Sequence, residues 1–246
     1  ALKRWAKAGT RNGTQLWMQI SHAGRQTPFA VNANPVGPSD IGLKMPGAQF
    51  GKPTALTGDQ ILDVIERFGH AAKIARETGF SGVQIHAAHG YLISEFLSPD
   101  INNREDEWGG SLANRARLLL EVVRCVRASV GPDFPVSVKL NSADFQRGGF
   151  THEESIQVAK WLNKEKIDML EVSGGTYEQP AMMDMDGLAP REEPKQQSTR
   201  QREAYFVQLA RALMAAKTPP LMVTGGFRSR AAMEHALSNG AADLIG

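Results

Sequence analysis

Apolar positions along this chain follow two periods, and the switch between them recurs. Short runs that alternate or stay apolar predict strands at 16–20, 82–87, 136–141, 169–173 and 221–224, with a last strand starting at Ala242. Longer segments of helical period lie between them. After Thr57, residues Ile61, Leu62, Val64, Ile65, Phe68, Ala72 and Ala75 fall on one helix face, and Thr57-x-x-Gln60 reads as a capping box. Thr151-x-x-Glu154 repeats that device ahead of Ile156, Val158, Ala159 and Leu162. Further helices are predicted at about 112–129, 202–217 and 229–239. Residues 24–56 break the rhythm: they are rich in Pro, Gly and Asn and predict an extended excursion.

Strand–helix alternation implies parallel strands covered by helices. The pattern alone leaves two architectures open, a doubly wound open sheet and an eight-stranded barrel lacking some of its strands. Both place their chemistry at the carboxyl ends of the strands.

Composition narrows the picture further. With 246 residues, 41% of them hydrophobic, the chain supports one large core, so a single domain over 1–246 is expected. Twenty-eight basic against 26 acidic residues give a net charge of +2, a near-balance that argues against a nucleic-acid partner. Apolar stretches are short and interrupted by charge, so neither a membrane span nor a signal segment is expected, and the location predicted is cytoplasmic. Cys125 is the only cysteine; it predicts an inert, partly buried helix residue.

Candidate chemistry gathers at the predicted strand ends. In GVQIHAAHGYLISEFLSP, Val83, Ile85 and Ala87 alternate with Gln84 and His86, and His89 and Tyr91 follow as strand gives way to loop. Two imidazoles and a phenol there can donate hydrogen bonds and deliver a proton. The same spacing also allows hydrogen-bonded structural histidines, or a metal pair needing further ligands. In PVSVKLNSADF, Lys139 lies mid-strand opposite the apolar face, where it needs an anionic partner: an ordinary ion pair, or a cofactor that becomes negative on reduction. Gly174–Gly175 and Gly225–Gly226 close two strands and suit either a phosphate cradle or a tight turn. Gln19 ends an early strand with an amide that offers a donor and an acceptor together, and His22 and Arg25 follow in the turn.

The segments HAAHGYLISEFLSP, NNREDEWGGSLANRARLLLEVV, VSVKLNSAD, TGGF and ADLIG occur in the order found in the Old Yellow Enzyme family, which this chain resembles over nearly its whole length. The resemblance implies a (β/α)8 TIM barrel with FMN across its carboxyl-end mouth, and NADH or NADPH as hydride donor. By position, Gln19 is similar to the glutamine that bonds the flavin pyrimidine edge, and Lys139 stands for a basic residue near the ring. His86 and His89 match the pair that binds the substrate oxygen, and Tyr91 the proton donor. Gly225 and Gly226, with Gly175 as a neighbour, fall where backbone contacts reach the phosphate. The activity implied by the resemblance is a ping-pong reduction of an α,β-unsaturated alkene, with a small-molecule acceptor such as an enone or nitro compound. A homo-oligomer is compatible with it.

Departures are visible too. The family's first two strands and last helix are not found in the sequence, so the barrel is expected to be incomplete and an inactive or non-flavin-binding fragment is the alternative. Lys139 replaces a common arginine, which keeps charge but loses the planar fork, and Trp108 replaces a frequent tyrosine.

Overall fold

Six predicted strands form one all-parallel sheet in the computed structural model, which describes residues 1–43, 50–176, 178, 212–213, 219–225, 227 and 229–246. In chain order the elements are α1 (Leu2–Gly9), β1 (Trp17–Ile20), β2 (Val36–Gly37), β3 (Thr54–Ala55), α2 (Gly58–Thr78), β4 (Gly82–Ala87) and α3 (Leu92–Leu97). Then come α4 (Leu112–Arg115), α5 (Arg117–Val130), β5 (Val136–Asn141), α6 (His152–Lys164), β6 (Met169–Ser173), β7 (Leu221–Val223), α7 (Arg230–Ser238) and β8 (Leu244–Ile245). The sheet order β1-β4-β5-β6-β7-β8 follows the chain without reversal. A doubly wound sheet reverses at a switch point, whereas a (β/α)8 barrel winds on in one direction, so the winding is that of the barrel.

Strand register sorts the residues into two faces. Ile85, Val138 and Leu170 stand side by side, as do Ala87, Leu140, Val172 and Val223, and all seven are inaccessible to solvent. They join the helices in one core, to which α2 contributes Ile61, Val64, Ile65, Phe68, Ala72 and Ala75. Each such large apolar side chain stabilises the fold by about 1.5–3 kcal/mol. Gly69 lets α2 lie close to α5, since a Cβ there would come within 2.6 Å of Cys125 Sγ. Cys125 is partly buried, as expected.

Both capping boxes are present. Thr57 accepts from the Gln60 N–H while the Gln60 side chain accepts from the Thr57 N–H, and Thr151 and Glu154 do the same. Other expectations need correction. Leu62 is 51% exposed, because it sits about 100° around the helix from Ile61, outside the buried stripe. The helix expected over 112–129 divides at Ala116: Ser111 caps a short first turn, and the Arg115 side chain folds back to the Gly110 carbonyl. Helices α1 and α3 carry no signal that separated them from their flanks. The helix expected at 202–217 falls almost wholly outside the described residues.

In the described parts of 24–56 the chain makes a short 3-10 turn at Gly24–Gln26 and a parallel two-residue ladder between β2 and β3. The segment after α3 holds it down. Arg104 donates to the carbonyls of Pro38 and Leu56 and the Asn103 N–H donates to Ser39 Oγ, while Asn102 donates to the Phe96 and Trp108 carbonyls and ties its own segment to α3. Buried Arg115 donates to the Leu97 carbonyl and pairs with Glu154 at 2.5 Å. The most distinctive sequence segment of the chain therefore works as a staple between loops and helices.

Candidate active site

The second face of the sheet is polar and lies in rows. Gln19 is level with Gln84; His86, Lys139 and Glu171 follow in line; Asn141 is level with Ser173. Alternation places them there: each occupies the strand position next to an apolar core residue.

Hydrogen bonds run along these rows. Gln19 Nε2 donates to Gln84 Oε1 at 2.7 Å, and Gln84 Nε2 donates to Glu171 Oε2 at 2.6 Å. Lys139 Nζ lies 2.8 Å from Glu171 Oε1, and both side chains are largely buried. Burial pushes the Glu171 carboxyl up, but the hydrogen bond and charge of Lys139, with help from the Thr224 hydroxyl and Gln84, hold it below the usual range. The lysine thus has its anionic partner within the protein. Glu171 was not singled out from sequence, although an acidic residue alternating with Leu170 and Val172 was the available signal.

His86, His89 and Tyr91 meet at the end of β4. The His86 ring is 5.2 Å from that of His89 and 4.9 Å from that of Tyr91, both edge to face. Burial, then the neighbouring His89 and the Lys139 cation, lower the His86 pKa to about 3. Burial and Lys139 lower that of His89 to about 4. Both rings are neutral at physiological pH and each carries a single N–H. His86 Nδ1 accepts from the Ala88 N–H at 3.2 Å, so its proton is on Nε2. His89 Nε2 lies 2.8 Å from Ser173 Oγ, a partner that sequence reading missed. Among the described residues no group of three or more His, Cys, Asp or Glu is placed to hold a metal ion.

The remaining candidates sit around this centre. Gly175, at the end of β6, and Gly225, at the end of β7, have φ of 84° and 89°, a conformation that favours glycine. Gly226 lies outside the described residues. His22 Nδ1 accepts from the Gly24 N–H, and burial and Arg67 hold its pKa down. Arg25 is buried and pairs with Glu178 at 2.5 Å.

These residues suit a flavin. Gln19 and Gln84 supply amide donors and acceptors, and Lys139 a cation. At the ends of β6 and β7, Gly175 and Gly225 carry no side chain that would stand between a ligand and the backbone.

No helix among the described residues is long and apolar enough to cross a membrane. The family described as NADH:flavin oxidoreductase / NADH oxidase matches residues 1–246. An NADH-dependent flavin oxidoreductase of Hypocrea jecorina (strain QM6a) is 38% identical over 259 residues, covering 99% of this chain and 63% of the relative. An NADH oxidase of Thermoanaerobacter brockii is 35% identical, over 98% of this chain and 35% of its own. Among solved structures, a 2-naphthoyl-CoA reductase complex superimposes with a TM-score of 0.87 at 30% identity, covering 99% of this chain and 37% of the other. An old yellow enzyme homologue from Zymomonas mobilis gives 0.78 at 29% identity, covering 100% and 66%. The chain spans less than two thirds of the length of these curated relatives.

Proposed function

The chain belongs to the NADH:flavin oxidoreductase / NADH oxidase family, and on that premise we propose that it carries the site of an FMN-dependent reductase of activated alkenes working by a ping-pong mechanism. The observation that supports this reading best is the meeting of two neutral imidazoles with a phenol beside the polar rows.

Bound FMN supplies a carrier that takes hydride from NADH or NADPH and passes it to an acceptor. Gln19, Gln84 and Lys139 are the residues to hold its polar edge, and the backbone at Gly175, Gly225 and Gly226 to receive its phosphate. His86 and His89, being neutral, donate hydrogen bonds to the carbonyl oxygen of the acceptor and draw electron density from the conjugated double bond. Tyr91 donates its phenolic proton to the α-carbon, which balances the hydride arriving at the β-carbon. An unsaturated ketone and an unsaturated thioester present the same oxygen to these donors; the neighbour bound to 2-naphthoyl-CoA is of the second kind.

The test is the visible spectrum of the purified protein, followed by anaerobic addition of NADH or NADPH and then cyclohexenone. Flavin bands that bleach and return support both half-reactions. A colourless protein that takes up no added FMN overturns the proposal in favour of a non-flavin-binding barrel. In the flavin-loaded protein, Tyr91→Phe is expected to slow alkene reduction about 10²–10⁴-fold and to affect the nicotinamide half-reaction less; equal losses would remove Tyr91 from the role of acid.

A further inference from the structure

His89 has a backbone that histidine rarely adopts, with φ of 61°, and Gly90 continues it at 76°. A residue held in the left-handed region costs on the order of 1 kcal/mol, and something must hold it there. Three groups from three other elements do so. The His89 N–H donates to Asn141 Oδ1, at the end of β5, at 3.0 Å. Its carbonyl accepts from Gln26 Nε2, in the turn after β1, also at 3.0 Å. Its ring meets Ser173 at the end of β6.

We propose that Gln26 and Asn141 are positioning residues, a two-sided clamp on the His89 peptide that aims the imidazole at the acceptor oxygen. This rests on the proposed role of His89 as a donor to that oxygen.

Both clamp residues are built for the purpose. Gln26 is 3% exposed, and its Oε1 has no hydrogen-bond partner among the described residues, so the contact that accounts for burying this amide is the one to His89. Only its nitrogen can serve a carbonyl, which fixes the orientation of the amide. The same side chain fills the space a Cβ at Gly90 would need, 2.9 Å from Oε1. Asn141 is 1% exposed and is itself tied: its Nδ2 donates to Asp144 Oδ1 at 2.9 Å and to the Gly175 carbonyl at 3.2 Å. The clamp thus joins the ends of β4, β5 and β6 to the turn after β1.

Gln26→Met keeps the length and bulk of the side chain but removes the donor. Freed of its carbonyl anchor, the His89 peptide can leave the left-handed region and the ring can leave Ser173 for water. In FMN-loaded protein, histidine-ring NMR titration should then move the His89 midpoint from about 4 toward 6.5, with the His22 signal unchanged as a reference. The KM for cyclohexenone should rise about tenfold, the loss of one hydrogen bond's worth of aim. Asn141→Ala removes the other arm and should give the same two changes. An unaltered His89 titration in folded Gln26→Met protein overturns the clamp, whatever Asn141→Ala does. A shifted titration with an unchanged KM supports the clamp and overturns the assignment of His89 to the acceptor oxygen.

Discussion

Two carboxylates of this chain are buried beside a cation, and their pKa values are pushed in opposite directions. Glu171, on β6, is 5% exposed; the Lys139 ammonium is aimed at one oxygen and the Gln84 amide at the other. It stays ionised, with its pKa below the usual range. Glu95, on α3, is 1% exposed and lies against the turn that carries Arg25, so close that Gly24 could bear no side chain there. Yet the Arg25 guanidinium turns the other way, to Glu178 at 2.5 Å and to the carbonyls of Ile41 and Gly42. Among the described residues Glu95 receives only the Arg25 peptide N–H, at 2.8 Å, and its Oε2 has no hydrogen-bond partner. Burial therefore dominates and drives its pKa well above the ordinary value. Proximity to a cationic residue does not by itself lower the pKa of a buried acid; the direction of the cationic head decides.

The largest effect expected from this contrast is that of Lys139→Met. It leaves the Glu171 carboxylate with neutral donors alone, the Gln84 amide and the Thr224 hydroxyl, and the loss of one partner from such a pair costs about 3–5 kcal/mol. Urea unfolding measures it, and a loss below about 1 kcal/mol, the scale of a surface pair, would erase the difference between the two carboxylates.

Acid should separate the regions next. Glu171 has a lowered folded pKa, so its contribution is present above 4.5 and fades as pH falls through the lower folded value. His86 and His89, lowered from 6.5 to about 3 and about 4, give stability that is full above 6.5 and declines as pH drops toward those values. Glu95 has the opposite sign. Its pKa is raised, so its contribution is full below 4.5 and is lost as pH rises toward the folded value. Thermal melts across pH should show the acid-side decline in the wild type and, largely undiminished, in Glu95→Gln.

Glu95→Gln is the smallest change expected at neutral pH, within about 1 kcal/mol of wild type, because glutamine resembles the protonated acid and can still accept from the Arg25 N–H. Destabilisation of several kcal/mol in the same melts would mean that Glu95 is ionised and that the contrast fails. The variant should also flatten the decline on the alkaline side.

Much of the barrel was legible because its signals are local. Alternation at 82–87, 136–141 and 169–173 located β4, β5 and β6 to the residue, and the two Thr-led capping boxes marked the starts of α2 and α6. The candidate site was legible where its residues share one short stretch, as His86, His89 and Tyr91 do. It was not legible where partners come from different strands. Lys139 called for an anion, but Glu171 became that anion only when β5 and β6 paired in register. Gln26 and Asn141 gave no sign of touching His89, because the turn after β1 and the end of β5 come together only at the mouth.

What the sequence determined by itself is the set of elements and the face each residue presents, since both follow from period and from chemistry within a few residues of chain. Tertiary structure alone decided which charges survive burial and which backbone is held under strain. Those outcomes depend on the distance and direction of groups brought from distant parts of the chain, and on how far packing has removed water from between them.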